Sequence, residues 1–172
     1  MTTSSHEGAQ FSGLILLTGE DKPGLAHALF EALSPFSVAV LDLDQIIIKD
    51  RLILTVQISL NPAHQSAIEE DLNALAASLE VDIAAVFSTS ATPQPKPASH
   101  SLLLSSAKLH PKHLMQITKA LLEAGGNIED LARTGSDPLK VVLKVSGISS
   151  EDVQKIIDAF DSDSDFSLTS GF

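Results

Sequence analysis

Between a short apolar strand and an apolar-striped segment lies Gly19-Glu20-Asp21-Lys22-Pro23-Gly24, the run with the most chemical content in the chain. Pro23 suits the first turn of a helix, because its fixed φ is already helical and its missing N–H has no partner to lose there. Gly24 has no side chain to block approach to the free N–H groups of that turn, which together with the helix dipole attract an anion. Asp21 stands beside them and can take an ammonium. An anion site next to a cation site describes an α-amino acid, lined by Asp21, Lys22, Pro23 and Gly24. The same residues also make a plain turn and helix start in which Asp21 caps the first turn. Spacing alone leaves both readings open.

Other candidates are weaker. His110-x-x-His113 presents two imidazoles near a helix start, but a third ligand is not nearby, so no metal is expected. The chain has no cysteine, which removes a disulfide framework, a thiolate zinc site and a cysteine nucleophile together. The acidic Asp161-Ser162-Asp163-Ser164-Asp165 reads as a solvated turn, and His27 as the edge of an apolar stripe. No catalytic residue, metal or cofactor is expected.

Composition narrows the partners. The 172 residues carry 11 basic and 22 acidic side chains, net −11, with no Trp or Tyr and seven Phe. A nucleic-acid binder needs cations to displace phosphate counterions and aromatics to stack on bases, so nucleic acid is not expected. Residues 1–88 hold 3 basic and 12 acidic groups, against 8 and 10 in residues 89–172, so the charge is concentrated in the first half. No apolar stretch approaches the ~18 residues of a membrane span. Met1–Gln10 lacks the basic-then-apolar order of a signal peptide, and a cytoplasmic protein is the expectation.

The elements that must position the loop repeat. Pro93, Pro95 and Pro97 fall within five residues and mark an extended linker over 89–99, between domains at 12–88 and 100–170. In the first, Leu14–Leu17 reads as a buried strand ending at Thr18-Gly19, and Leu25, Leu29, Leu33 and Phe36 form a helical stripe starting at Pro23. Val38–Lys49 and Arg51–Leu60 read as strands. Asn61 caps and Pro62 starts a second helix with Ile68, Leu72, Leu75 and Leu79 inward, and Val81–Phe87 closes the domain. The second domain gives strand Leu102–Leu104, a helix from Pro111 with Leu114, Ile117 and Leu121 inward, and a stop at Gly125-Gly126. Strands Asn127–Arg133 and Leu139–Val145 follow around a turn at Gly135–Pro138, then a helix capped near Ser149 and a strand at Phe166–Thr169.

Both halves are β-α-β-β-α-β. They superpose with an offset of 88, placing Pro23 on Pro111, Leu29 on Ile117, Leu33 on Leu121 and Val40 on Ile128. The expected class is α+β: two tandem ferredoxin-like units, each an antiparallel four-stranded sheet with two helices on one face. That fold hosts unrelated activities, so function has to come from sites. Metallochaperone versions need paired cysteines, and RNA-binding versions need basic and aromatic sheet positions. An acylphosphatase would want an Arg-bearing loop after the first strand, where this chain has Glu20-Asp21-Lys22 and Lys108-Leu109-His110.

The run Gly19-x-Asp21-x-Pro23-Gly24 in a unit of this order resembles the ACT domain, a regulatory module that binds amino acids between paired copies. Thr18–Gly24, Leu29-Phe30-Glu31-Ala32-Leu33 and Leu41–Ile48 resemble the first of two ACT domains at the N-terminus of certain bacterial phosphoserine phosphatases, while Gly126-Asn127-Ile128 and Asp137-Pro138-Leu139 resemble the second. The resemblance covers roughly residues 12–170 and implies L-serine, glycine or a similar small amino acid as ligand. Asp21 and Gly24 match the ligand loop. Asn127, followed by Ile128, matches an asparagine that faces the ligand from the partner copy. The first half has Ala39 at the Asn127 position, and the second has Leu109 and Lys112 at the Asp21 and Gly24 positions. Each half therefore keeps one part of a composite pocket. Asn127 also suits a plain turn after two glycines.

The resemblance does not extend to catalysis. Asp42-Leu43-Asp44 imitates the nucleophile motif of the haloacid-dehalogenase superfamily, yet Ile46-Ile47-Ile48 continues a strand where that motif turns into a loop. The later lysine and acidic motifs have no room. A non-catalytic amino-acid sensor is expected, free-standing or part of a larger enzyme, with homodimerisation through sheets or helices. The alternative is a structural dimerisation module whose pocket is vestigial.

Overall fold

A computed structural model describes residues 10–90, 97–163 and 165–171. The chain divides between Gln94 and Pro95 into two compact units.

In the first unit β1 (Gln10–Glu20) alternates between covered and outward residues from Gly13 onward. Ile15 and Leu17 are fully buried, while Leu14 and Leu16 face outward. That period of two marks a strand with one covered face. Helix α1 (Leu25–Leu33) lays Leu25, Leu29 and Leu33 on that face, and β2 (Ala39–Ile48) and β3 (Arg51–Ser59) follow. Asn61 accepts a hydrogen bond from the Ala63 N–H (3.0 Å) and opens a 3-10 turn over Pro62–His64. Helix α2 (Gln65–Leu79) buries Ile68 and Leu72, with Leu75 and Leu79 at the edge of the core, and β4 (Asp82–Ser90) completes the unit. All pairings are antiparallel, in the order β2-β3-β1-β4.

The second unit repeats this with β5 (Ser99–Ser106), α3 (Pro111–Glu123), β6 (Asn127–Ser136), β7 (Leu139–Ser146), α4 (Ser150–Phe160) and β8 (Ser167–Ser170), in the order β6-β7-β5-β8. Ser149 Oγ accepts the Asp152 N–H at 3.1 Å and caps α4 as its spacing predicts. The two ferredoxin-like units expected from the sequence are both present.

Several details differ from the sequence reading. Helix α1 begins at Leu25, not Pro23, because Gly24 is its N-cap in the left-handed region (φ 94°). The α2 helix proper begins at Gln65, after the 3-10 turn, not at Pro62. Strand β4 runs to Ser90 and β5 starts at Ser99, so strand takes residues at both ends of the stretch read as linker; residues 91–96 lie outside the described residues. On α3 the inward positions are His113, Ile117 and Leu121, with Leu114 only partly buried. The turn after β6 narrows to Asp137-Pro138, since β6 continues through Gly135 to Ser136.

The offset also varies. The central pairs Ser12–Ser59 and Ile15–Val56 recur as Ser99–Ser146 and Leu102–Leu143, a shift of 87. The first helices and the starts of the β2 and β6 edge strands keep 88, with Leu25, Leu29 and Leu33 answering to His113, Ile117 and Leu121 and Ala39 to Asn127. One more residue in the β5–α3 connection raises the offset to 88, and one fewer between the start of β6 and the end of β7 returns it to 87.

Candidate functional site

The Asp21 loop joins β1 to α1. The Asp21 N–H donates to the Asp50 carbonyl (2.7 Å), tying the loop to the β2–β3 turn, and Ala28 N–H closes the first helical bond on the Gly24 carbonyl (2.9 Å). No side chain caps α1, and its first turn has no acidic residue. The capping role open to Asp21 is therefore not the one it takes. Among the described residues no side chain accepts from the first N–H groups of α1, which leaves them able to take an anion. Asp21, Lys22, Pro23 and Gly24 are all exposed.

Gly24 is needed for its backbone. At φ 94° an L side chain is strained, although a Cβ there would meet nothing within 4 Å. Gly24→Ala should thus destabilise by about 1–2 kcal/mol through backbone strain alone, without blocking the loop sterically. Urea denaturation of the variant checks this. Gly19 is the opposite case: a Cβ would lie 2.6 Å from Val81 Cγ1, so any larger residue forces the β1 end and Val81 apart.

The equivalent loop of the second unit is closed by its own side chains. Ser106 Oγ lies 2.9 and 3.0 Å from the Lys108 and Asp165 carbonyls, between which its one proton is shared, and accepts the Lys108 N–H at 3.2 Å. His113 Nδ1 accepts the His110 N–H (3.4 Å), and Nε2 lies 3.7 Å from Asp165 Oδ2. Its ring stacks obliquely on Phe166, with centroids 5.0 Å apart. The His110–His113 pair thus caps and packs a helix. His113→Ala should destabilise the second unit by about 2–4 kcal/mol, through lost packing plus a lost cap, read as a drop in the denaturation midpoint.

Asn127 and Ile128 open β6, opposite Ser146 and Val145. Asn127 is exposed and Ile128 half-buried. The correspondence with Ala39 is exact in register: both edge strands carry an irregularity at the same place, between Val40 and Asp42 and between Ile128 and Asp130. In each unit this strand start lies at the sheet end away from the β1–α1 or β5–α3 loop. Over a 10-residue strand the separation is about 30 Å. No single unit can therefore bring an Asp21-type loop and an Asn127-type residue onto one small ligand.

The start of β2 carries an open cleft of about 500 Å³ lined by Gln10, Phe11, Ser37, Val38, Ala39, Ser59 and Leu60. It has no titratable side chain, and the sequence reading did not find it. Asp42 and Asp44 are exposed on β2; Asp42 Oδ1 accepts the Leu43 N–H (2.9 Å), and β2 runs on through Ile46–Ile48. Among the described residues no cluster of three or more His, Cys, Asp or Glu is placed to hold a metal. No described helix is long and apolar enough to cross a membrane.

Residues 14–86 match the family model of the ACT domain. That match spans most of the first unit, and the second unit repeats its topology, so the molecule is a tandem of two ferredoxin-like units. Its sequence is similar to phosphoserine phosphatase SerB2 of Mycobacterium tuberculosis, 29% identical over 141 residues, covering 80% of this chain and 34% of the relative. A phosphoserine phosphatase of Streptomyces coelicolor is 28% identical over 144 residues, with the same coverage. The chain spans about a third of the length of these curated relatives. In fold it is similar to a proposed glycine cleavage system transcriptional repressor (TM-score 0.74, 15% identity, 96% of this chain and 98% of that one). A protein of unknown function from Galdieria sulphuraria is also similar (TM-score 0.71, 18% identity, 95% and 99%).

Proposed function

We propose that this is a non-catalytic regulatory protein that binds a small α-amino acid, L-serine or glycine. The observation that carries the reading is the α1 N-terminus, uncapped by any side chain and open above Gly24, with the Asp21 carboxylate next to it in sequence. In this reading the N–H groups take the ligand's carboxylate, Asp21 takes its ammonium, and Lys22 and Pro23 shape the rim. Asn127 and Ile128 complete the pocket from a second copy of the chain. Antiparallel pairing of exposed edge strands sets the start of one against the end of the other, which removes the ~30 Å separation found within a unit. A homodimer formed in this way is the expected assembly. Binding that bridges two units favours one arrangement of them, which gives the protein its means of regulating a partner or an attached enzyme. Similarity to part of two phosphoserine phosphatases supports a place in serine metabolism.

The test is thermal unfolding with each of the twenty amino acids. At 100-fold its dissociation constant a ligand stabilises by ~2.7 kcal/mol, which raises Tm by roughly 5–10 °C for a chain of this size. The expected result is a shift with serine or glycine that Asp21→Ala abolishes.

A second reading, a structural dimerisation module with a vestigial pocket, is favoured by the apolar side chains exposed along β2. It requires a flat panel and a dimer indifferent to Asp21→Ala.

A further inference from the structure

The edge-strand bulge differs in content between the two units. A bulge sets two residues against one on the neighbouring strand and re-aims the extra side chain. In the first unit the extra residue is Leu41; in the second it is Glu129, which falls between the pairs Ile128–Val145 and Asp130–Lys144. The re-aimed carboxylate turns back to the start of its own strand. Its Oε1 accepts from Ser146 Oγ at 2.5 Å and from Asn127 Nδ2 at 2.7 Å. Ser146 is buried, so the carboxylate is anchored on a fixed partner.

This arrangement dictates the polarity of Asn127. A carboxylate repels the amide oxygen and binds the amide N–H₂, so Oδ1 is turned away from Glu129 and presented outward as an acceptor. An outward acceptor backed by a negative charge receives a cationic donor. The first unit can build nothing like it, with Ala39, Leu41 and Ser59 at the three positions.

We propose that Glu129 is a positioning and selectivity residue of the amino-acid site: it orients the Asn127 amide and lends its charge, so that this side of the pocket reads the ligand's ammonium group. The inference rests on the amino-acid-binding reading above and adds to it a second group, acting on the ammonium together with Asp21, that selects for the protonated amine.

The experiment is calorimetric titration of the whole chain with L-serine, glycine and 3-hydroxypropanoate, which is serine without its amine. Wild type, Asp21→Ala, Asn127→Ala, Glu129→Gln and the Asn127→Ala/Glu129→Gln double variant are compared. Glu129→Gln should weaken binding of whichever amino acid the wild type takes, roughly 10–100-fold, the equivalent of one charge-assisted hydrogen bond. It should narrow the preference for serine over 3-hydroxypropanoate, a ratio that a merely structural role would not move. Because Glu129 acts largely through Asn127, the double variant should bind much as Asn127→Ala does, short of the product of the two single losses. Unchanged affinity in Glu129→Gln, with Asp21→Ala weakened, overturns this inference and leaves the binding function standing. Full additivity in the double variant, or an unchanged ligand preference, also overturns it. A wild type with no affinity for serine or glycine overturns both.

Discussion

Leu29→Ala should destabilise the first unit by about 2–5 kcal/mol, the range for emptying a fully buried leucine site that cannot collapse. Leu29 is 0% exposed on α1 and belongs to the core that also holds Ile15, Leu17, Val56 and Ile68. These residues come from β1, β3 and α2, so the site is walled by separate elements that cannot close together on the void. Amide hydrogen exchange resolved by residue is the measurement, and the loss of protection should be largest in β1 and β3, the central strands that α1 covers. Ile117→Ala is the matched experiment, since Ile117 takes the same place on α3, and it should unprotect β5 and β7. Leu29→Met keeps the volume and should cost less than about 1.5 kcal/mol. A Leu29→Ala change that left β1 and β3 protected would mean that α1 does not close the sheet.

The architecture was legible because each element carries a clear period. Leu25-Leu29-Leu33 can only be a helix face, and the short apolar run Leu14–Leu17 reads as a strand. The reading of that run as wholly buried fails: Leu14 and Leu16 face outward, which four apolar residues in a row do not announce. What was missed lies where backbone conformation overrides side-chain type. Pro23 looks like a first helical residue, but the positive φ at Gly24 delays the helix to Leu25. His110 and His113 read as two imidazoles lacking a third ligand, with no metal expected. What that leaves unread is that His113 occupies an inward helical position and returns a ring nitrogen to the His110 N–H, the role that Glu or Gln plays in a usual capping box. The signal was available in the 88-residue offset, which sets His113 on the buried Leu25. Of the candidate site, Asp21–Gly24 and Asn127 are found on the loop and at the strand start that the sequence reading gave them. Glu129 was invisible. A bulge is a register event between two strands, and nothing in Asn127-Ile128-Glu129-Asp130 announces which residue leaves the ladder. The exposure of β2 was also unreadable, because Val40, Leu43, Ile46 and Ile47 look like core to any one-dimensional pattern.

The exposure of β2 leads to the second large effect. Placing lysines at Leu43 and Ile47 should convert a dimer to monomer and remove the stabilisation by serine, although the Asp21 loop is untouched. Leu43 and Ile47 are 54% and 50% exposed, and they share a face because they pair with the buried Val56 and Leu52 of β3. Every residue of β2 is exposed, so its outer edge is a row of backbone groups flanked by apolar side chains, the surface on which another strand adds most readily. Half-exposed side chains of this size gain about 1 kcal/mol each when covered, half of the full-burial value. Two from each of two copies come to roughly 4 kcal/mol, about a thousandfold in the dimer constant. Lysine reverses the sign, since four ammonium groups would face one another along the seam. Analytical ultracentrifugation across micromolar concentrations reads the assembly, and the serine thermal shift reads the pocket. Loss of both together ties ligand binding to edge pairing. A dimer that survives the two lysines, with the serine shift intact, would place the pairing surface elsewhere and leave β2 to be covered by a different partner.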